Sequence, residues 1–110
     1  MAPYIYKWEV NTMEEIKKIP QRCEIAEADK WATEDMYPSD EAWEAELATV
    51  AQDQERAASF AGKLGTSAAD LYAYLSEGEK VSSKISLLAN YCMRKADEDT
   101  RNSTYQAMVG

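Results

Sequence analysis

The sequence predicts an all-α fold, an antiparallel bundle of three to four helices preceded by an extended N-terminal segment. Apolar residues recur at alternating spacings of three and four over residues 43–64 and 81–92, which is the repeat of one helix face. Serines at positions 39, 67 and 103 stand where helices would begin, and serine is a favoured N-cap. Residues 4–10 alternate weakly like a strand, but no second strand-like segment offers them a partner.

The first 38 residues differ in character from the rest of the chain. We predict a leader or extension over residues 1–12 and an extended connector with a short helix over residues 13–38. Residues 39–110 form the predicted helical region. Met13 is a possible natural start of the protein.

The strongest predicted helix follows Pro38. Ser39 is its expected N-cap, and Asp40 and Glu41 lie in the first turn, where the helix dipole stabilises negative charge. Gly65 is expected to end the helix in the left-handed conformation. One apolar seam with a single polar break runs along this helix: Trp43, Leu47, Val50, Gln54, Ala57, Ala61 and Leu64.

A second helix is predicted to begin at a capping box formed by Ser67 and Asp70. Leu71 and Leu75 lie on its expected inner face. We expect a kink or break near Gly78, because glycine weakens a helix and the apolar pattern shifts phase there. The pattern then continues through four further residues: Val81, Ile85, Leu88 and Cys92.

A last helix is predicted to begin at a capping box of Ser103 and Gln106, and it carries Tyr105, Met108 and Val109. It has only about two turns, whereas an isolated helix needs roughly 12 residues to be even marginally stable. We therefore expect the chain to be the leading part of a longer polypeptide.

The charge balance narrows the possible partners. With 20 acidic and 12 basic residues the net charge is −8, which disfavours nucleic acids and anionic membranes, since both bind clustered Lys and Arg. The sequence lacks the roughly 18 consecutive apolar residues that span a bilayer and the pattern of a signal peptide. Cys23 and Cys92 are far apart in sequence, so reduced thiols and a cytoplasmic location are the simpler expectation.

The sequence shows no catalytic centre. It contains no histidine, the residue that zinc sites and general bases near neutral pH most often use. Asp97 and Asp99 superficially resemble the start of a calcium loop, but Asn102 occupies the position that requires glycine, so a polar turn between helices is expected. Glu44 and Glu46 are attributed to the helix dipole rather than to acid–base chemistry. We assign no catalytic, cofactor-binding or metal-ligating residue.

Three aromatic side chains lie among seven carboxylates in residues 29–47: Trp31, Tyr37 and Trp43. They could form a ligand box, but their positions favour a structural role. Tyr37 precedes the helix cap and could pack on Trp43 as a hydrophobic staple. Trp31 is then expected to anchor the connector against the same helix.

Three segments resemble the oligoendopeptidase F family, in the order in which they occur. The most specific is IPQRCEIAEADKWATEDMYPSDEAWEAEL at residues 19–47. FAGKLGTSAADLYAYL at residues 60–75 and YCMRKADEDTRNSTYQAM at residues 91–108 follow it. The resemblance covers about residues 13–108.

By this resemblance, the chain is expected to be the N-terminal, non-catalytic helical region of a cytoplasmic zinc metallopeptidase that hydrolyses short peptides. Members of the family hold zinc with an H-E-x-x-H helix and a further Glu. No such motif is present in this sequence, so no catalytic or metal residue is carried over, and zinc is expected only in the full-length parent. The region would help to form the substrate channel. Its expected partner is the remainder of the parent chain, with self-association possible.

An alternative is a complete small acidic helical protein that binds a partner protein through an apolar helix face. A region taken from a larger enzyme should expose apolar surface or self-associate. A complete domain should be monodisperse and should melt cooperatively.

Overall fold

The computed structural model describes residues 18–110. Among these residues the regular elements are helices and none is a strand, which confirms the all-α fold. Residues 18–30 belong to a separate unit from residues 31–110. The strand-like segment over residues 4–10, the leader over residues 1–12 and the start at Met13 lie outside the described residues. The division of the chain into a leader (residues 1–12), a connector (13–38) and a helical region (39–110) stays a prediction.

The described part of the first unit consists of short turns. Two 3₁₀ turns, Arg22–Glu24 and Glu27–Asp29, are separated by extended backbone. Neither turn contains a buried residue. This part of the predicted connector therefore alternates between extended residues and single turns.

The helix predicted between the Ser39 cap and Gly65 is instead two helices, α1 (Asp40–Ala48) and α2 (Val50–Ala58). They are separated by Thr49, whose Oγ1 donates a hydrogen bond to the carbonyl of Glu46 at 2.7 Å. Such a local bond competes with the helical hydrogen bonds of the main chain, which is a physical reason for the interruption. The single continuous helix was therefore a wrong prediction.

The start of α1 agrees with the sequence, but the end of α2 does not. Ser39 Oγ accepts a hydrogen bond from the N–H of Ala42 at 3.2 Å, as an N-cap does. After α2 the chain continues in turns, and Gly62 has a φ of +75°, a conformation that glycine adopts without strain. The left-handed glycine is thus Gly62 rather than the predicted Gly65.

Helix α3 (Ala68–Glu98) is 31 residues long. Its N-cap is confirmed, since Ser67 Oγ accepts from the N–H of Asp70 at 3.1 Å. The helix continues through Gly78, so the predicted break there is wrong. One glycine costs only about 1 kcal/mol relative to alanine inside a helix, which the many other hydrogen bonds of α3 can offset.

Helix α4 (Ser103–Val109) follows a polar turn over residues 99–102. Its N-cap is Asn102, one residue before the predicted cap, and Asn102 Oδ1 accepts from the N–H of Thr104 at 3.0 Å. Gln106 takes no part in a capping box and donates to the carbonyl of Ala96 at 3.4 Å. This bond holds α4 against the end of α3.

The core lies between α1 and the C-terminal part of α3, and Met108 of α4 packs on it. Trp43 is 6% exposed and donates through Nε1 to the carbonyl of Leu88 at 2.8 Å. The rings of Tyr37 and Tyr91 meet edge to face with centroids 5.4 Å apart. The buried cluster consists of Tyr37, Trp43, Leu88, Tyr91 and Cys92, which confirms the structural roles of Tyr37 and Trp43.

Trp31 differs from the other two aromatic residues. It is 60% exposed, and the guanidinium of Arg94 lies 5.1 Å from its ring centroid, within cation–π range. Arg94 belongs to α3. The prediction that Trp31 anchors against the helix of Trp43 is therefore wrong, because its contact is made with α3.

Candidate functional site

An apolar groove lies between α3 and the segment formed by α2 and its following turn. It has a volume of about 540 Å³. Phe60 and Tyr74 face each other in it with ring centroids 5.6 Å apart. Its apolar lining includes Ala57, Phe60, Tyr74, Leu75, Val81 and Ile85, and these residues define the α2–α3 groove.

A buried ion-pair cluster borders this groove. Asp53 is 2% exposed, and Lys84 Nζ donates to its Oδ2 at 2.6 Å and to Thr49 Oγ1 at 2.8 Å. Arg56 also pairs with Asp53. Two cations therefore compensate one buried carboxylate, as a charge removed from water requires. The cluster fixes α2 against α3 close to the interruption at Thr49.

Three of the charges on the rim of the groove are also paired with one another. Arg56 Nε lies 3.9 Å from the carboxylate of Glu77, and Lys80 Nζ lies 3.1 Å from the same carboxylate. These exposed pairs contribute little to stability. The groove thus presents apolar walls beside three paired charges and Glu79, which lines the groove without an ion pair among the described residues.

A second polar cluster joins α1, α3 and α4. Tyr91 donates its hydroxyl to Asp40 Oδ1 at 2.6 Å, and Tyr105 donates to Oδ2 at 3.0 Å. The ammonium of Lys95 lies 5.9 Å and 5.2 Å from the centroids of these two rings. Burial, and then the hydrogen bond to Asp40, raise the pKa of both tyrosines. Their hydroxyls remain protonated at neutral pH and serve as donors rather than nucleophiles.

The acidic residues considered from the sequence lie apart from the groove. Asp99 accepts hydrogen bonds from the side chain of Arg101 at 2.9 and 3.0 Å, and these bonds lower the pKa of Asp99. Asp97 lies in the last turn of α3. Glu44 is exposed on α1. The polar turn between helices is confirmed for Asp99.

The described residues do not provide a zinc site. Within residues 18–110, no three side chains of the types His, Cys, Asp and Glu are grouped as metal ligands would be. Cys23 is exposed, Cys92 is buried, and both are free thiols. We therefore assign no step of a metal-dependent reaction to these residues. In the same range, no helix is long and apolar enough to cross a membrane.

The sequence prediction missed Asp53 and Lys84. The predicted seam placed Gln54 on the inner face, whereas Gln54 is exposed and Asp53 is buried. The spacing contained a usable indication, because Asp53 follows Val50 by three residues and so shares its helix face. Its partner Lys84 is 31 residues away, a distance in sequence over which periodicity carries no information.

Comparison with known proteins gives one strong relationship. In an alignment of 100 residues that covers 88% of this chain, the sequence is 39% identical to oligopeptidase PepF of Bacillus subtilis strain 168. The chain corresponds to an N-terminal part of an oligoendopeptidase F. It spans 15% of the length of that relative. No family model and no solved structure matches the chain.

The three segments that resemble oligoendopeptidase F contribute to different parts of the structure. Residues 19–47 contain Trp43 and most of α1. Residues 60–75 supply Phe60, Tyr74 and Leu75 of the α2–α3 groove. Residues 91–108 supply the C-terminal part of α3 and most of α4. Both the core and the groove therefore include residues from segments with family resemblance.

Proposed function

We propose that this chain serves as a non-catalytic helical region of an oligoendopeptidase F-like zinc metallopeptidase and helps to form the channel through which short peptides reach the active site. The observation that carries the proposal is the 39% identity to oligopeptidase PepF over 88% of the chain. Because the sequence has no histidine, the zinc ligands and the catalytic groups are assigned to the remainder of the longer polypeptide. A cytoplasmic location is part of the same proposal.

The packing of the helices suits a channel wall. Trp43 ties α1 to α3 through the carbonyl of Leu88, and Lys84 ties α2 to α3 through Asp53. Because these two contacts are made at different positions along α3, the three helices are held in a defined arrangement. A wall that excludes large substrates needs such rigidity, since a loosely packed one would open to them.

A chimeric enzyme tests the proposal. The matching segment of Bacillus subtilis oligopeptidase PepF is replaced by the residues of this chain, and zinc content and hydrolysis of short peptides are measured. We expect one zinc per chimera and a kcat/KM within about tenfold of the PepF value, since no transition-state contact is removed. The matched control replaces the segment with an unrelated helical sequence of equal length, which should abolish activity.

The length of the substrate provides the second readout. A different channel wall should change the ratio of kcat/KM for short and long peptides relative to PepF, while a segment remote from the channel would leave this ratio unchanged. A folded, zinc-loaded but inactive chimera contradicts the proposal. So does stoichiometric zinc with chelator-sensitive peptidase activity in the 110-residue chain alone.

A further inference from the structure

The N-terminal half of α3 has apolar residues that the described part of the chain does not bury. The buried residues of this helix are Leu88, Tyr91, Cys92 and Ala96, all in its C-terminal half. Among the residues before Leu88, the large exposed apolar side chains include Leu71, Tyr72, Leu75 and Ile85. Leu75 is 58% exposed and Tyr72 is 74% exposed.

Part of this exposed surface continues a stripe that reaches the core. Leu71, Ile85 and Cys92 are separated by 14 and 7 residues, close to four and two helical turns, and Leu75 follows Leu71 by about one turn, so they lie along one side of α3. At Cys92 the stripe is buried. Towards the start of the helix, the same stripe passes into the α2–α3 groove, which Leu75 and Ile85 line.

The charges favour an apolar occupant that is not a second copy of this chain. Arg56, Glu77 and Lys80 on the rim are paired with one another. Among the described residues of the groove, Glu79 is the charge left without an ion pair, so electrostatic attraction to a charged ligand is limited to this carboxylate. Each copy of the chain carries a net charge of −8, and two copies would repel each other. In contrast, the chain spans only 15% of the length of its PepF relative, which leaves a large polypeptide to supply an apolar partner segment.

We propose that the α2–α3 groove, with the adjoining stripe of Leu71, Leu75 and Ile85, is the docking surface for the part of the oligoendopeptidase F-like polypeptide that lies outside this chain. This inference rests on the proposed function and adds to it the surface by which the region is attached. An apolar segment inserted beside Phe60 and Tyr74 would bury the exposed side chains and continue the core along α3.

Thiol labelling in the chimeric PepF enzyme tests the docking surface without relying on activity. In a Cys23→Ser background, which keeps the buried Cys92, one cysteine is added on the groove side by Leu75→Cys or Ile85→Cys. Ala69→Cys is the matched control, since Ala69 is exposed and lies about 120° from Leu75 and about 160° from Ile85 around the helix. Labelling rates are compared between the isolated chain and the chimera.

We expect labelling at positions 75 and 85 to slow by at least about tenfold in the chimera, and labelling at position 69 to change by less than about twofold, since only docked side chains are shielded from the reagent. Fast labelling at positions 75 and 85 in an active chimera overturns the docking surface and leaves the proposed function intact. Equal protection at all three positions overturns the assignment to the groove side.

Two further outcomes are covered by additional measurements. If the chimera does not fold, cysteines at the aligned positions of PepF itself give the same readout, with protection supporting the docking surface and fast labelling overturning it. If light scattering shows a dimer of the isolated chain and labelling at positions 75 and 85 slows as its concentration rises, a second copy covers the surface and the proposal is wrong.

Discussion

The two halves of α3 share one helix but meet different surroundings. In the C-terminal half, Leu88 is 5% exposed and packs in a cluster with Trp43 of α1. In the N-terminal half, Leu75 is mostly exposed beside an open groove. Apolar residues recur at helical spacing in each half. The difference shows that a periodic pattern identifies the face that can be buried, whereas the rest of the chain decides whether it is buried.

The largest effect on stability is expected from Trp43→Ala, which removes a side chain from the buried cluster that covers the C-terminal half of α3. Loss of a buried Trp side chain and its hydrogen bond to Leu88 should lower the free energy of unfolding by about 3–5 kcal/mol, measured by urea denaturation of the 110-residue chain. Trp31→Ala is the control, because Trp31 is largely exposed. A similar loss in both variants would show that the core is not where the structure places it.

A pair of leucines compares the two halves of α3 directly. Leu88→Ala should lower the free energy of unfolding by about 2–5 kcal/mol, as for other buried leucines. Leu75→Ala should lower it by about 0.5 kcal/mol or less, as for surface positions. Both changes delete the same atoms from the same helix, so differences in helix propensity cancel. Equal losses in urea denaturation would mean that the N-terminal half is covered in the isolated chain, contrary to the structure.

Lys84→Met tests the buried ion pair where α2 meets α3. This variant leaves Asp53 buried with Arg56 as its remaining cation. We expect the free energy of unfolding to fall by about 2–3 kcal/mol, near the lower limit for breaking a buried pair. Adding Asp53→Leu should restore most of that stability, because no uncompensated charge then remains. Failure of the double variant to recover would show that packing of the Lys84 stem matters more than charge.

Among the substitutions of buried residues, the smallest effect is expected from Tyr91→Phe, which removes one hydrogen bond to Asp40 and should lower the free energy of unfolding by about 1.5 kcal/mol at neutral pH. In the folded chain the pKa of Tyr91 is raised above its ordinary value of 10.0. Folding therefore favours the protonated hydroxyl, so this contribution is fully present below pH 10.0 and is lost as the pH rises through the folded pKa. The free energy of unfolding, measured between pH 9 and 11, should fall less steeply with pH in Tyr91→Phe than in the unsubstituted chain. Equal slopes would contradict this.

The sequence predicted those local features that depend on neighbouring residues. The caps at Ser39 and Ser67 and the burial of Trp43, Leu88 and Cys92 follow from composition and spacing, and the structure confirms each of them. These features need no knowledge of distant segments, because a cap or a helix face is defined within a few residues.

Features that depend on tertiary contacts were not predicted. Leu71 and Leu75 were assigned to an inner face because they fit the helical repeat, but no described element covers them fully. The burial of Asp53 depends on Lys84, whose position only the folded chain determines. The α2–α3 groove could not be predicted for the same reason, since its walls come from two helices whose approach is fixed by that ion pair.

The carboxylate of Asp40 has a consequence for the last helix. Helix α4 has seven residues, too few to persist in water by themselves. Tyr105, in its first turn, is tied to Asp40 across 65 residues of sequence. The ordering of the final segment is thus coupled to the placement of the beginning of α1, so α4 should lose its protection from hydrogen exchange before any other helix when α1 loosens.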